Sequence, residues 1–291
     1  MSKASTGAAA MTIATDPRAH WQTLSQAERD AAYDNNKAVI DSPALIAERN
    51  EASAALRASR ASALDVPYAP GERTKFDLYP AVDKAAPCLV FIHGGYWQRN
   101  SRDLFAMMVE GMAAHGWSVA IMGYTLAPEA TMTQIAHETR LALDWLAADG
   151  PSFGIAGPIV LSGWSAGAQM TAMALDHPAV TAGLALSGVY DLGPIRDTGL
   201  NTALQMTDDE IKTLSPLKLP VVQTPLVIAY GADELPALVH DSVNLHAMRT
   251  DAGAPGELIA IKGANHFTIL EALRRPDGDL VQAARGLVNW P

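Results

Sequence analysis

From residue 75 onward, short runs of apolar and β-branched residues alternate with segments whose apolar positions recur at helical spacing. The runs cover 75–78, 88–93, 117–122, 158–162, 183–187, 225–230 and 257–261. Near-continuous apolar strands separated by helices predict a mostly parallel sheet with helices on both faces. One intervening helix is explicit: Met132, Ile135, Ala136, Thr139, Leu143 and Leu146 fall on a single face at 3.6 residues per turn and are expected in the core. Before the first run, residues 18–62 are rich in Ala, Glu and Arg without a strand signal, and from Trp21 on they predict two or three helices. Between 191 and 220 the alternation breaks into Gly, Pro and a short acidic helix, the pattern of an excursion bordering an active site. Residues 18–291 are therefore expected to form one α/β domain. Residues 1–17, small and polar with Met11 as an alternative start, are expected to be a disordered arm.

Composition narrows the class. Of the 291 residues, 49% are hydrophobic and 18% charged, enough apolar surface to exclude a wholly disordered chain. The 21 Lys+Arg against 31 Asp+Glu give a formal charge of -10, a field that repels nucleic-acid backbones and anionic membranes, so neither is expected as a partner. No stretch approaches the about 18 apolar residues of a membrane span, and the N-terminal stretch lacks an apolar signal core. The single cysteine, Cys88, lies inside the run CLVFIH and reads as a buried small hydrophobe in a reducing compartment. A cytoplasmic location is the expectation. Without HExxH, CxxC or GxGxxG the sequence offers no recognisable metal or dinucleotide site, so no cofactor is expected.

The chemistry is concentrated in three places. The run 158–162 leads into Gly163-Trp164-Ser165-Ala166-Gly167 and then into a helical segment, a strand, sharp turn and helix around G-x-S-x-G. That is the pattern of a nucleophile elbow, in which glycines relieve crowding while the serine is held strained with its hydroxyl exposed. Upstream, His93-Gly94-Gly95-Tyr96-Trp97 follows the run 88–93. It resembles the oxyanion loop of esterases and lipases, where side chains at Gly94 and Gly95 would obstruct the approach of amides to a tetrahedral intermediate. By that resemblance the amides of Gly95 and Tyr96 join that of Ala166, and His93 braces the loop. A serine, acid, histidine order then requires an acid and a histidine after later strands. Asp233, after the run 225–230, and His266, after 257–261, fit both placements; Glu234, next door, and Asp191 compete for the acid. His20, His93, His115 and His137 precede the serine, and His177, His240 and His246 read as surface residues. Tyr96, Trp97, Trp164 and Phe267 neighbour these residues and are candidate pocket walls, with Trp97, Trp164 and Phe267 the expected substrate contacts.

Together HGGYW, GWSAG, LSGVYDLGPI, NTALQMTDDEI with a later SP, and NHFTILE resemble arylformamidase, the serine-dependent kynurenine formamidase of the α/β-hydrolases, from about residue 33 to residue 270. The resemblance implies an α/β-hydrolase fold, hydrolysis of N-formyl-kynurenine to kynurenine and formate without a cofactor, often in a homodimer, and Ser165, Asp233 and His266 as the triad. Carboxylesterases and amidases of other small acyl compounds share the loop, so that activity stands as the alternative. A non-catalytic binding module is a weaker one, because it has no need of serine, acid, histidine and oxyanion glycines together.

Overall fold

The computed structural model describes residues 14–60 and 63–288. Most of the expected N-terminal arm lies outside them, but Asp16 caps the 3-10 helix Pro17–Thr23, and Ala14 O accepts a hydrogen bond from His240 Nε2.

Eight strands form one sheet: β1 (Ala63–Pro67), β2 (Lys75–Tyr79), β3 (Cys88–Ile92), β4 (Ser118–Met122), β5 (Ile159–Trp164), β6 (Val180–Leu186), β7 (Leu226–Gly231) and β8 (Leu258–Ile261). Their order is β1-β2-β4-β3-β5-β6-β7-β8, with β1–β2 and β2–β4 antiparallel and the remaining pairs parallel. This is the α/β-hydrolase arrangement. Every residue of β3 and β5 is buried, because both faces are covered. Cys88, Val90 and Ile92 of β3 belong to the core on one face of the sheet, together with buried residues of the helix Met132–Asp149, while Leu89 and Phe91 belong to the core on the other, together with those of the helix Asp279–Gly286. In the first of these helices Met132, Ile135, Thr139, Leu143 and Leu146 are buried as their spacing predicts, and Thr131 and Gln134 close a capping box at its start.

Strand β1 was not expected. It is an edge strand with a register shift between Ala63 and Val66 and a left-handed Asp65 (φ 59°), features that destroy the alternation by which strands are read.

The leading segment is helical as expected: after the 3-10 turn come α1 (Gln26–Ala31), α2 (Asn35–Ala38) and α3 (Ser42–Ser59). Polar anchors tie it to the domain. Arg57 of α3 pairs with the buried Asp77 of β2, Trp21 Nε1 donates to Asp197, and Gly199 N donates to Asp30. The lead-in is thereby drawn over the C-terminal edge of the sheet. At that edge the loops after the parallel strands β3, β5, β6, β7 and β8 converge, where open α/β sheets bind their ligands.

Candidate active site

Ser165 occupies the turn between β5 and the helix Ala166–Met173 with φ 59° and ψ -116°, a conformation costly for any residue with a Cβ. Glycines make the turn possible. A methyl group on Gly163 would lie 2.2 Å from Gly167 O, and one on Gly167 would lie 2.0 Å from Ile92 O of the neighbouring strand. Ser165 N donates to Leu186 O at 2.8 Å, locking the elbow to β6.

The loop after β3 meets this turn at van der Waals distance, since a methyl group on Gly94 would sit 2.9 Å from Ser165 Cβ. Gly95, Tyr96 and Trp97 all have positive φ, and Asn100 Nδ2 holds Gly94 O at 3.0 Å. The hydrogen bonds of the loop use its carbonyls. The amides of Gly95 and Tyr96 have no protein acceptor among the described residues, and that of Ala166, first in its helix, has none within the helix. Gly95 and Tyr96 line the same cavity as Ser165, and Ala166 follows it in the chain.

His93 is fully buried beneath the loop, its ring stacked 4.4 Å from Tyr124 and 5.7 Å from Phe105, with Nδ1 donating to Gly94 O at 2.9 Å. Burial lowers its pKa to about 4, outweighing the opposing effect of that hydrogen bond. An unfolded histidine titrates near about 6.5, so below that pH the unfolded chain takes up a proton that the folded protein refuses. The stabilisation is complete above about pH 6.5 and is lost as pH falls towards about 4, by up to about 3 kcal/mol. Urea unfolding across this range should show that decline in the wild type and a flatter one in His93→Gln; equal slopes would refute the assignment.

His266, after β8, is buried with a fixed ring. Trp164 Nε1 donates to His266 O at 2.8 Å, the Trp164 ring lies 4.8 Å away, and Phe267 meets the imidazole edge-on. Its acid partner is Glu234, whose Oε2 lies 3.1 Å from Nδ1. The other oxygen, Oε1, accepts from Gly231 N at 2.7 Å and from Ser187 Oγ, so the fully buried carboxylate is satisfied on both sides. This corrects the expectation for Asp233. Glu234 N closes a turn onto Gly231 O and Asp233 N bonds Ala264 O, which turns the Asp233 side chain to solvent and the longer Glu234 inward. Asp191 is occupied by Lys218 at 2.9 Å.

Ser165, His266, Trp164, Phe267, Gly95 and Tyr96 line one cavity of about 540 Å3. Trp97 is a second correction. It is completely buried, with Nε1 donating to Gln169 Oε1 at 3.3 Å, and it braces the loop against the helix after Ser165 instead of facing the cavity. His177, expected at the surface, is buried beside Asp144 at 3.1 Å. Sequence reasoning missed the opposite wall, which comes from Tyr33, Asn35, Ile46 and Arg49 of the lead-in together with Thr198, Gly199 and Leu200. Tyr96 Oη joins the two walls by donating to Tyr33 O at 2.8 Å and accepting from Asn35 Nδ2 at 3.2 Å. A signal was present in α3, where Ser42, Arg49, Ser53 and Leu56 share the buried stripe and a charge stands in a core position. Among the described residues no cluster of three or more His, Cys, Asp or Glu could hold a metal ion, and no helix is long and apolar enough to cross a membrane.

Fold and site together define an α/β-hydrolase with a serine-type centre. The family model BD-FAE matches residues 76–180. Kynurenine formamidase of Salmo salar is 29% identical over 75% of this chain and 79% of its own length, and that of Danio rerio is 27% identical over 72% and 76%. Among solved structures, a Silicibacter sp. tm1040 protein assigned to the thioesterases superposes with a TM-score of 0.79 at 26% identity, covering 88% of this chain and 98% of that one. Esterase LipW of Mycobacterium marinum shares the fold with a TM-score of 0.68 at 18% identity, over 94% and 97% of the two chains. Over about 70% of its length the chain is similar to the kynurenine formamidases, and its fold is that of the α/β-hydrolases.

Proposed function

We propose that this protein hydrolyses a small aryl formamide, N-formyl-kynurenine in the first place, to the arylamine and formate. The observation that carries the reading is the similarity to kynurenine formamidases across about 70% of the chain; the BD-FAE match over 76–180 takes in the loop and elbow that meet at Ser165. In this reading His266 removes the Ser165 proton as Oγ attacks the formyl carbon, and Glu234 orients the imidazole and stabilises its cation. The amides of Gly95, Tyr96 and Ala166 receive the oxyanion. The C–N bond breaks as His266 returns the proton to the leaving amine. Water, deprotonated by the same histidine, then attacks the formyl-serine and releases formate.

Carboxylesterase activity is the second reading, favoured by the esterase and thioesterase folds among the solved relatives. Acyl length separates the two. A pocket built for a formyl hydrogen misplaces a longer acyl group, and about 1 Å of misplacement costs on the order of a hundredfold in rate. N-formyl-kynurenine should therefore exceed its acetyl analogue in kcat/KM by at least about a hundredfold. An open acyl pocket would gain about 0.8 kcal/mol per buried methylene, so 4-nitrophenyl acetate through butyrate would give a flat or rising profile and refute the formamidase reading.

A further inference from the structure

The arginines buried in this protein are satisfied in different ways. Arg102 pairs with Asp77 at 3.1 Å, and Arg249 donates to three backbone carbonyls, those of Val222, Thr224 and Pro255. Arg49 is the exception. Only 6% exposed on the buried stripe of α3, it donates through Nε and Nη2 to a single neutral acceptor, Asn50 Oδ1, at 3.2 and 2.9 Å. Its guanidinium lies 4.3 Å over the Phe105 ring. No carboxylate among the described residues is within ion-pair distance of it, and its Nη1 makes no hydrogen bond to them. Burial alone lowers its pKa, to about 10, which leaves it a cation at neutral pH.

A desolvated cation without a counter-charge is unfavourable, and an arriving anion relieves that cost. Arg49 lines the cavity that contains Ser165. The other charged groups facing that cavity are engaged or exposed: Asp30 accepts from Gly199 N and Gln26 Nε2, Asp34 pairs with Lys37, and Arg99 is exposed at the rim. On the far side, where Arg49 borders a smaller cavity, Glu271 is taken by Arg274 and Glu48 is exposed. Phe105 holds the guanidinium in place and packs in turn on Trp164, the ring against His266.

We infer that Arg49 is a specificity-determining residue, which makes this cavity select substrates bearing a carboxylate in addition to the acyl group that is cleaved. The planar guanidinium matches a carboxylate in a way that no neutral ester satisfies. The inference rests on the proposed function in placing substrate at Ser165, and it deepens that reading by naming the second group recognised; N-formyl-kynurenine carries such a carboxylate.

Calorimetric titration with 4-oxo-4-phenylbutanoate and with its primary amide tests it without turnover. In the wild type the acid should bind at least about tenfold more tightly than the amide. Arg49→Met should remove the preference, and Arg49→Lys should keep part of it, because a lysine retains the charge but loses the fork. Equal dissociation constants in the wild type, an acid too weak to register at millimolar concentration, or a preference that survives Arg49→Met would each overturn the inference. The wild-type pair decides even if Arg49→Met fails to fold. Turnover of N-formyl-kynurenine is scored separately: selective binding of the acid with no turnover refutes the proposed function and leaves the anion site standing, and turnover without selectivity refutes the role of Arg49 alone.

Discussion

Ser165→Ala is expected to leave a folded protein whose turnover falls by about four to six orders of magnitude. The serine supplies the only hydroxyl at the elbow turn, at φ 59°, where the nucleophile of the proposed acyl transfer must stand. No neighbour can replace it. Ser162 is on the same strand but fully buried, and Ser187 is bonded to Glu234. Alanine keeps the Cβ and therefore the backbone strain, and Ser165 is not a side-chain cap of its helix. Thermal unfolding should accordingly shift by no more than a few degrees, an effect of about 1 kcal/mol or less. Residual catalysis would come from the amides of Gly95, Tyr96 and Ala166, which the substitution does not touch. Retention of more than about a tenth of kcat in a correctly folded variant would sink the assignment of the nucleophile.

What the sequence revealed of this site depended on how local each feature is. The elbow and the loop at Gly94 and Gly95 are fixed by contacts a few residues long, in which a single methyl group would collide with Ile92 O or Ser165 Cβ, so the glycines themselves announce the geometry. The central strands were equally legible, because burial on both faces leaves an uninterrupted apolar run. The acid was not. Asp233 and Glu234 are adjacent and chemically alike, and the choice between them is made by a turn whose hydrogen bonds reach Ala264, on the loop after another strand. Trp97 failed as a pocket wall for a related reason: proximity in the chain to Gly95 says nothing about which side of the loop a ring occupies, and its partner Gln169 is distant in sequence. The wall supplied by the lead-in was hidden apart from one sign, the charge of Arg49 on the buried stripe of α3. It depends on long-range bonds such as Gly199 to Asp30 and Tyr96 to Tyr33, for which helical periodicity carries no signal.

Glu234→Gln should lower kcat by about three to four orders of magnitude, whereas Asp233→Asn should leave it within about twofold. In the wild type an ionised Glu234 can only accept, so His266 Nδ1 must carry a proton and Nε2 is left as the basic nitrogen. Glutamine can keep its oxygen towards Ser187 Oγ and Gly231 N, both donors, which turns its NH2 group to Nδ1. The imidazole then has to accept at Nδ1 and carry its proton on Nε2, the tautomer that cannot take a proton from serine. Flipping the amide would place NH2 against the buried Gly231 N–H, which can only donate, a costlier arrangement, so the wrong tautomer is trapped. Fold and binding should survive, with KM changed far less than kcat and the histidine resonances in the variant reporting the exchanged tautomer. Asp233, turned to solvent, takes part in none of this. A severe loss in Asp233→Asn with a mild one in Glu234→Gln would show that the acid facing His266 at 3.1 Å is not the one that serves it during turnover.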